Sequence, residues 1–157
     1  FQFTSRNQKF LNQGISALFS NESASCLHFA RPSKLSEKRL AEIEAFKEIR
    51  GNLKGWKFIL GISVQNEDRK ALNAIRKMTE GLPIELMVNK SNKELWNLYN
   101  KAKIYWHAAG YGADLNNHPE YAEHFGISTV EAMGGGAVPV VFNAGGQKEI
   151  VDNHIGF

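Results

Sequence analysis

The feature that most constrains the fold is an alternation of short apolar runs with amphipathic stretches from residue 24 onward. Strands buried on both faces of a parallel sheet are nearly continuous in apolar residues, whereas helices repeat apolar positions every three or four residues. Five runs fit such strands: 26–30, 56–62, 84–88, 104–107 and 137–142. The pattern predicts an α/β fold, a Rossmann-like doubly wound parallel sheet with helices on both faces.

The stretches between the runs carry helix signals. Residues 36–50 repeat apolar side chains at helical spacing, and a second helix is expected to end at Gly81. Ser91 and Glu94 form an S-x-x-E capping box before a third helix. A short fourth helix is predicted over 127–133, ended by three successive glycines. Strands and helices therefore alternate along the chain, as a parallel sheet requires.

Length and composition indicate an ordinary globular domain. The chain has 157 residues, of which 43% are hydrophobic and 22% charged, enough for one domain with a proper core. The net charge is +3 and the basic residues are scattered, so no nucleic-acid interface is expected. The single cysteine, Cys26, lies in an apolar run and is expected to be a buried thiol in a reducing compartment. Residues 24–157 form the predicted domain, and 1–23 are interpreted as a linker or a segment carried over from a preceding half.

The run 123–151 contains most of the candidate binding residues. Glu123 and Glu131 stand eight positions apart and flank a predicted helix start, with the amides of Gly126, Ile127 and Ser128 between them. Free N–H groups at a helix start bind phosphates, so sugar hydroxyls at Glu123, a diphosphate at the helix start and ribose hydroxyls at Glu131 would form three subsites. Eight residues along a helix axis span about 12 Å, which matches a nucleotide sugar. An alternative remains open, because Ser128 and Glu131 also fit a capping box.

The same run resembles the signature of retaining GT-B glycosyltransferases of family GT4 (glycosyl transferases group 1). That signature is E-x-F-G-x-x-x-x-E, followed by a small-residue helix end, G-x-P-V-V, a Gly-Gly turn and an acidic residue. The matching residues are Glu123, Phe125, Gly126, Glu131, Ala132, Gly136, Pro139, Val140, Val141, Gly145, Gly146 and Glu149. The resemblance covers residues 95–151 strongly and 24–89 less strongly. It implies the C-terminal, nucleotide-sugar-binding half of a GT-B fold.

The resemblance also implies roles for individual residues. The donor sugar would contact Glu123, His124, Phe125, Gly126 and Ile127, the ribose Glu131, and the nucleobase the loop formed by Met87, Val88 and Asn89. The donor diphosphate would contact Gly126 and Ser128.

The family further carries an Arg after the first strand and a Lys a few residues later, both on the diphosphate. Arg31 directly follows the first apolar run and fits the Arg. Glu37 stands where the family has the Lys, so Lys38 is the chosen candidate, with Lys34 and Arg39 as alternatives. No D-x-D motif occurs, so no metal and no cofactor are expected, and the helix start with the basic side chains would replace the metal.

The implied activity is transfer of a sugar, as by a hexosyltransferase, from a nucleoside diphosphate sugar to an acceptor hydroxyl with retention. The acceptor, a sugar or lipid-linked sugar, is expected to bind a missing N-terminal domain, so the chain alone should transfer nothing. The family's roles suggest cell-surface polysaccharide or glycolipid synthesis, in the cytoplasm and possibly at the inner face of the membrane, with peripheral membrane contact of the full enzyme.

Two alternatives fit the same architecture. A nucleotide-sugar epimerase or hydrolase needs an acid–base pair, and the sequence offers no convincing one. A non-catalytic receiver-like α/β module needs acidic residues at the end of the first strand, where this chain has Arg31. His107 and Tyr105 fall near the expected switch point of the sheet, and His107 is interpreted either as a satisfied core residue or as part of the site.

Overall fold

The computed structural model describes residues 25–30, 37–65, 68–152 and 154–156, with the backbone alone for 25–30 and 37–41. The predictions made for residues 1–23, Arg31 and Lys34 lie outside the described residues. Lys38 and Arg39 lie on a described helix, but their side chains are outside the description.

A parallel sheet organises the described part of the chain. Its five strands are β1 (Ser25–Ala30), β2 (Lys57–Ile62), β3 (Ile84–Val88), β4 (Ile104–His107) and β5 (Val138–Val141). They lie in the order β3-β2-β1-β4-β5, and every pairing is parallel. The predicted strands are therefore confirmed to within a residue at each end. Pro139 is the second residue of β5, at the edge of this sheet, where a missing N–H is tolerated.

Helices connect the strands. They are α1 (Glu37–Ile49), α2 (Arg69–Thr79), α3 (Asn92–Tyr99), α4 (Ile127–Gly134) and α5 (Gln147–Ile150), and short 3-10 turns occur at Arg50–Asn52 and Pro119–Tyr121. The first four helices match the predicted ones, whereas α5 was not predicted. Gly81, just beyond α2, has a φ of +72°, which explains why glycine stands at that helix end.

The capping box at the start of α3 forms as predicted. The Ser91 side chain accepts a hydrogen bond from the Glu94 amide at 3.4 Å, and the Glu94 carboxylate accepts one from the Ser91 amide at 2.9 Å. The Lys90 ammonium also donates to Glu94 at 2.8 Å. Hydrogen bonds from Lys90, followed by those from Ser91, lower the pKa of Glu94 from 4.5 to about 2.

Apolar side chains cover both faces of the sheet. On one face, Phe58 and Leu60 of β2 pack in a cluster with α1 and α2. On the other, Ile59 of β2 and Tyr105 of β4 pack with Tyr99 of α3 and with α4. Alternate residues of one strand thus reach opposite cores, because successive side chains point to opposite faces. The predicted doubly wound arrangement is confirmed.

The chain reverses its direction of winding between β1 and β4. Cys26 of β1 pairs with Phe58 on one side and with Ile104 on the other, so β2 and β4 flank β1. In open parallel sheets, ligands bind outside the carboxyl ends of the strands at such a switch point. Among the described residues, the loop after β4 and the turn after β5 follow strands at this side of the switch point.

Within the described residues, no helix has the length and hydropathy of a membrane span.

Candidate functional site

His107, the last residue of β4, anchors the site. Its side chain is 7% exposed, and its Nε2 lies 3.2 Å from Oε2 of Glu123. Sequence reasoning left His107 either as a core residue or as part of the site. The structure shows that it is buried and also joined to the first glutamate of the E-x7-E signature.

The carboxylate of Glu123 is held from two sides. Its Oε1 accepts hydrogen bonds from the amides of Phe125 at 3.2 Å and Gly126 at 3.1 Å, in addition to the contact of Oε2 with His107. The hydrogen bond from His107, followed by those from Gly126 and Phe125, outweighs partial burial and lowers the pKa of Glu123 from 4.5 to about 2. Glu123 is therefore a carboxylate at neutral pH, which suits a hydrogen-bond acceptor and not a general acid.

Helix α4 begins next to this carboxylate. Gly126 precedes the helix in the left-handed region with a φ of +66°, and no side chain caps the helix start. Among the described residues, the amides of Ile127 and Ser128 have no hydrogen-bond acceptor. Three free amides were predicted here, but the one of Gly126 is occupied by Glu123. Two N–H groups and the positive end of the helix dipole remain for an anion.

Ser128 and Glu131 do not form the capping box that the sequence allowed. Ser128 is the second residue of α4, and its hydroxyl oxygen accepts a 2.7 Å hydrogen bond from the buried Tyr105 hydroxyl. Glu131 Oε2 accepts a 3.1 Å hydrogen bond from the Tyr99 hydroxyl. Burial raises the pKa of both tyrosines, so both stay protonated donors. The second carboxylate is thus tied to α3 rather than to the start of its own helix.

The two glutamates do not lie on one continuous helix, as the expected span of about 12 Å requires. Glu123 lies in the loop before α4, so only the four steps from Ile127 to Glu131 follow the helical rise, about 6 Å. The value of about 12 Å for eight helical residues therefore does not apply to this pair. Glu131 lies on the second turn of α4, half-buried, whereas Glu123 lies beside the first.

The other side chains predicted to contact the sugar are open to solvent. Phe125 is 77% exposed and Ile127 67% exposed, and His124 between the glutamate and Phe125 is exposed as well. They border the helix start and its free amides.

The Gly145–Gly146 turn after β5 holds the backbone of the glutamate. The amide of Gly146 donates a 2.8 Å hydrogen bond to the carbonyl of Glu123. A Cβ on Gly145 would overlap that same carbonyl oxygen, and a Cβ on Gly146 would overlap the carbonyl oxygen of His124. Gly145 also has a φ of +58°. The sequence predicted a tight turn near the site, and the structure shows that the turn packs directly against it.

The loop predicted to line the nucleobase is held by core packing and by side-chain hydrogen bonds. Met87 and Val88 are half-buried and pack against the two cores. Asn89 has a left-handed φ of 51°, its Oδ1 accepts from the Val64 amide at 2.7 Å, and its Nδ2 donates to the Val64 carbonyl at 3.1 Å. The Asn89 side chain therefore links the loops after β2 and β3.

Two residues of the site escaped sequence reasoning. Gln147 of α5 is 1% exposed, and its Nε2 donates to the buried Thr129 hydroxyl at 2.9 Å and lies 3.5 Å from His107 Nδ1. Gln147 stands in a four-residue helix without a periodic pattern, and Thr129 lies one position beyond Ser128. The sequence feature that could have pointed to Gln147 is the Gly145–Gly146 turn directly before it.

The sequence is similar to curated glycosyltransferases. Three of them share the printed name GDP-Man:Man(3)GlcNAc(2)-PP-Dol alpha-1,2-mannosyltransferase. The Xenopus laevis protein is 29% identical over 123 residues, 76% of this chain and 21% of the relative. The Mus musculus protein is 32% identical over 103 residues, 62% and 19% respectively, and the Dictyostelium discoideum protein is 31% identical over 91 residues, 55% and 16%. The chain spans about a fifth of the length of these relatives.

The fold is similar to a solved GT-B enzyme. The catalytic domain of starch synthase IV from Arabidopsis thaliana, bound to ADP and acarbose, superposes with a TM-score of 0.56 and 17% identity, covering 97% of this chain and 30% of that chain. At this identity the likeness shows the fold alone. The profile of the family described as "Glycosyl transferases group 1" matches residues 37–157, which include the E-x7-E signature and the turn that packs against it. The chain belongs to this family of glycosyltransferases.

Proposed function

We propose that the chain is the donor-binding domain of a retaining glycosyltransferase of family GT4, which transfers a sugar from a nucleoside diphosphate sugar to an acceptor hydroxyl. One observation carries the proposal: a bound carboxylate, two free amides and a second carboxylate follow one another along the start of α4. The order matches the chemical order of a nucleotide sugar, in which sugar, diphosphate and ribose are linked. The alternative of an epimerase or hydrolase is not favoured by the family match.

The diphosphate would lie at the start of α4. The free amides of Ile127 and Ser128 are donors that do not reorganise when charge builds up on the leaving group. The Ser128 hydroxyl accepts from Tyr105, so its own proton is available for a phosphate oxygen. Arg31 and Lys38 would add positive charge, and neither a metal nor another cofactor is required by this scheme.

The sugar would be bound by Glu123. A carboxylate has about four lone-pair positions, and three are taken by the Phe125 amide, the Gly126 amide and His107. One position remains on Oε2, directed away from the backbone donors, for a sugar hydroxyl. Exposed His124, Phe125 and Ile127 would surround that sugar.

The ribose and base would lie further along α4. Glu131 Oε2 is held by Tyr99, and Oε1 is available for the ribose diol. The base would lie against the backbone of Met87, Val88 and Asn89. Because Asn89 already fixes this loop through Val64, binding would cost little ordering.

The relatives suggest the substrates. Their printed names specify GDP-mannose and a dolichol-linked oligosaccharide, so we propose GDP-mannose as the donor and a lipid-linked glycan as the acceptor. The acceptor and any general base would be contributed by the part of the enzyme beyond this chain, so the chain alone would bind donor weakly and transfer nothing. A lipid-linked acceptor would bring the full enzyme to a membrane face, in the synthesis of a glycolipid or polysaccharide.

Calorimetric titration with GDP and 2′-deoxy-GDP tests the ribose contact, with UDP, ADP and dTDP as competing bases. GDP should bind best, and loss of the 2′-hydroxyl should weaken binding about tenfold, as loss of a hydrogen bond to a charged group does. In Glu131→Ala the two ligands should bind with equal, lower affinity.

Glu80→Gln is the matched control, because Glu80 is exposed and precedes β3, at the end of that strand opposite to the proposed base contact. It should keep the wild-type preference for GDP. If Glu131→Ala still distinguishes GDP from 2′-deoxy-GDP tenfold, the ribose assignment is wrong. Absence of binding to any nucleotide by the complete enzyme would refute the donor-binding proposal itself.

A further inference from the structure

A buried oxygen without a hydrogen-bond partner lies behind the site. Gln147 is 1% exposed, and its Oε1 has no donor within the described residues, although its Nε2 is bonded. The Oε1 faces Gly126, because it lies 3.2 Å from the position that a Cβ on Gly126 would occupy. A buried carbonyl without a hydrogen-bond donor destabilises the fold, so its retention requires a reason.

The Oε1 and Nε2 positions of Gln147 cannot be exchanged to satisfy the oxygen, because the surrounding atoms fix the orientation of this amide. The backbone amide of Ala109 points at His107 Nδ1 at 3.4 Å, and a backbone N–H is a donor. His107 Nε2 faces the carboxylate of Glu123 at 3.2 Å and must bear a hydrogen there, because a bare lone pair would face a negative charge. In the neutral imidazole, Nδ1 is therefore the acceptor, and the neighbouring amide must present its NH₂ group.

We infer that Gln147 is a positioning residue that acts with the amide of Ala109 to hold His107 in the Nε2–H tautomer, which directs a hydrogen bond at Glu123. Thr129 keeps the amide in place by accepting from Gln147 Nε2 at 2.9 Å. The unsatisfied Oε1 is the energetic cost of this orientation. Gln147 itself is too deeply buried to touch a ligand.

The consequence concerns how Glu123 offers its free lone pair. With His107 donating to Oε2 and two amides donating to Oε1, the carboxylate plane is fixed by three bonds. In the other tautomer, His107 would repel Oε2 and the carboxylate would turn away from its position. This inference rests on the proposed function only for its effect on ligand affinity, since the tautomer is a property of the protein alone.

Nitrogen NMR of the chain labelled with [15N]histidine tests the inference at a pH where imidazole is neutral. Two-bond correlations distinguish the tautomers, and His107→Gln identifies its signals among the five histidines. Wild-type His107 should be in the Nε2–H form. In Gln147→Met, which keeps the size but removes one of the two donors at Nδ1, the Nδ1–H form should become detectable beside the Nε2–H form. The dissociation constant for GDP-mannose should then rise about twofold at equal populations of the two forms, because only the Nε2–H form offers Glu123 correctly.

Two further variants separate positioning from a structural role. In Gln147→Glu a carboxylate replaces the NH₂ group, so His107 should carry hydrogens on both nitrogens; a purely structural residue would only lower stability. Gln65→Met, at an exposed position, should change neither tautomer nor affinity.

If Gln147→Met fails to fold, Thr129→Val, which releases the Gln147 amide and should shift the tautomer in the same direction, decides the question. A wild-type Nδ1–H tautomer, or an unchanged tautomer in folded Gln147→Met, would overturn the inference. Absence of GDP-mannose binding by wild type would instead count against the proposed function.

Discussion

The contact between the Gly-Gly turn and the backbone of Glu123 predicts a graded series of glycine-to-alanine variants. Gly81 has a φ of +72° with open space around its missing Cβ, so Gly81→Ala introduces conformational strain alone. Gly146 has an α-helical φ of −63°, so Gly146→Ala introduces only the overlap with the His124 carbonyl. Gly145→Ala combines a φ of +58° with the overlap on the Glu123 carbonyl. Gly51, with open space and no left-handed backbone, is the reference.

The sizes of these effects follow from the causes. Left-handed backbone costs a residue with a Cβ about 1–2 kcal/mol, which is the loss of unfolding free energy expected for Gly81→Ala. An overlap with a backbone oxygen cannot be relieved by a side-chain rotation, so Gly146→Ala should lose about 2–3 kcal/mol, in the range of overpacked cores. Gly145→Ala should lose the most, about 3–5 kcal/mol. Gly51→Ala should stay within about 0.5 kcal/mol of wild type or be slightly stabilised.

Urea unfolding gives these free energies, and nucleotide titration separates the site from general stability. Gly81→Ala should bind donor as wild type does, because Gly81 precedes β3, whereas the candidate site lies at the carboxyl ends of the parallel strands. Folded Gly146→Ala should bind donor at least tenfold more weakly, because the turn and the Glu123 loop must move apart. The reasoning fails if Gly146→Ala matches Gly51→Ala in stability, or if Gly81→Ala weakens binding as much as Gly146→Ala.

Three other predictions concern charge and capping. The pKa of Glu123 is lowered from 4.5 to about 2. The contribution of its ionised carboxylate to the free energy of unfolding is therefore full above pH 4.5 and is lost as the pH falls towards 2. The shift sets an upper limit of about 3 kcal/mol, which solvent screening reduces to about 1–2 kcal/mol, and Glu123→Gln should abolish that part of the acid unfolding curve. Ser91→Ala should cost about 1 kcal/mol of unfolding free energy in urea, because it removes the side-chain acceptor at the start of α3. EDTA should leave the donor dissociation constant unchanged, because helix amides and basic side chains are proposed to bind the diphosphate; a loss of affinity restored by Mg²⁺ would contradict this.

Strands could be predicted where an apolar run is continuous, and helices where apolar positions repeat at helical spacing over several turns. The strands β1 to β4 came within a residue of their predicted bounds because they are short, apolar and separated by amphipathic helices. Helix α5 was missed because four residues contain one turn, which leaves no repeat to detect.

The candidate site was less accessible to sequence reasoning. The alternative of a capping box formed by Ser128 and Glu131 is wrong, because α4 begins at Ile127 after the left-handed Gly126, and Ser128 is the second residue of the helix. The partners that these side chains use instead, the hydroxyls of Tyr105 and Tyr99, are 23 and 32 residues away in sequence. Hydrogen bonds across such separations depend on packing between elements, which periodicity does not encode.

The residues His107, Glu123 and Gln147 are synthesised in a fixed order. His107 ends β4, Glu123 follows in the loop, and Gln147, 40 residues after His107, is the last to leave the ribosome. A nascent chain that has not yet released Gln147 lacks both the amide facing His107 and the turn that supports Glu123. Domains generally fold as units during synthesis, and β5 ends only six residues before Gln147, so the sheet and its carboxylate site are completed at nearly the same point of synthesis. The carboxylate site of this domain therefore cannot be complete before Gln147 has been synthesised.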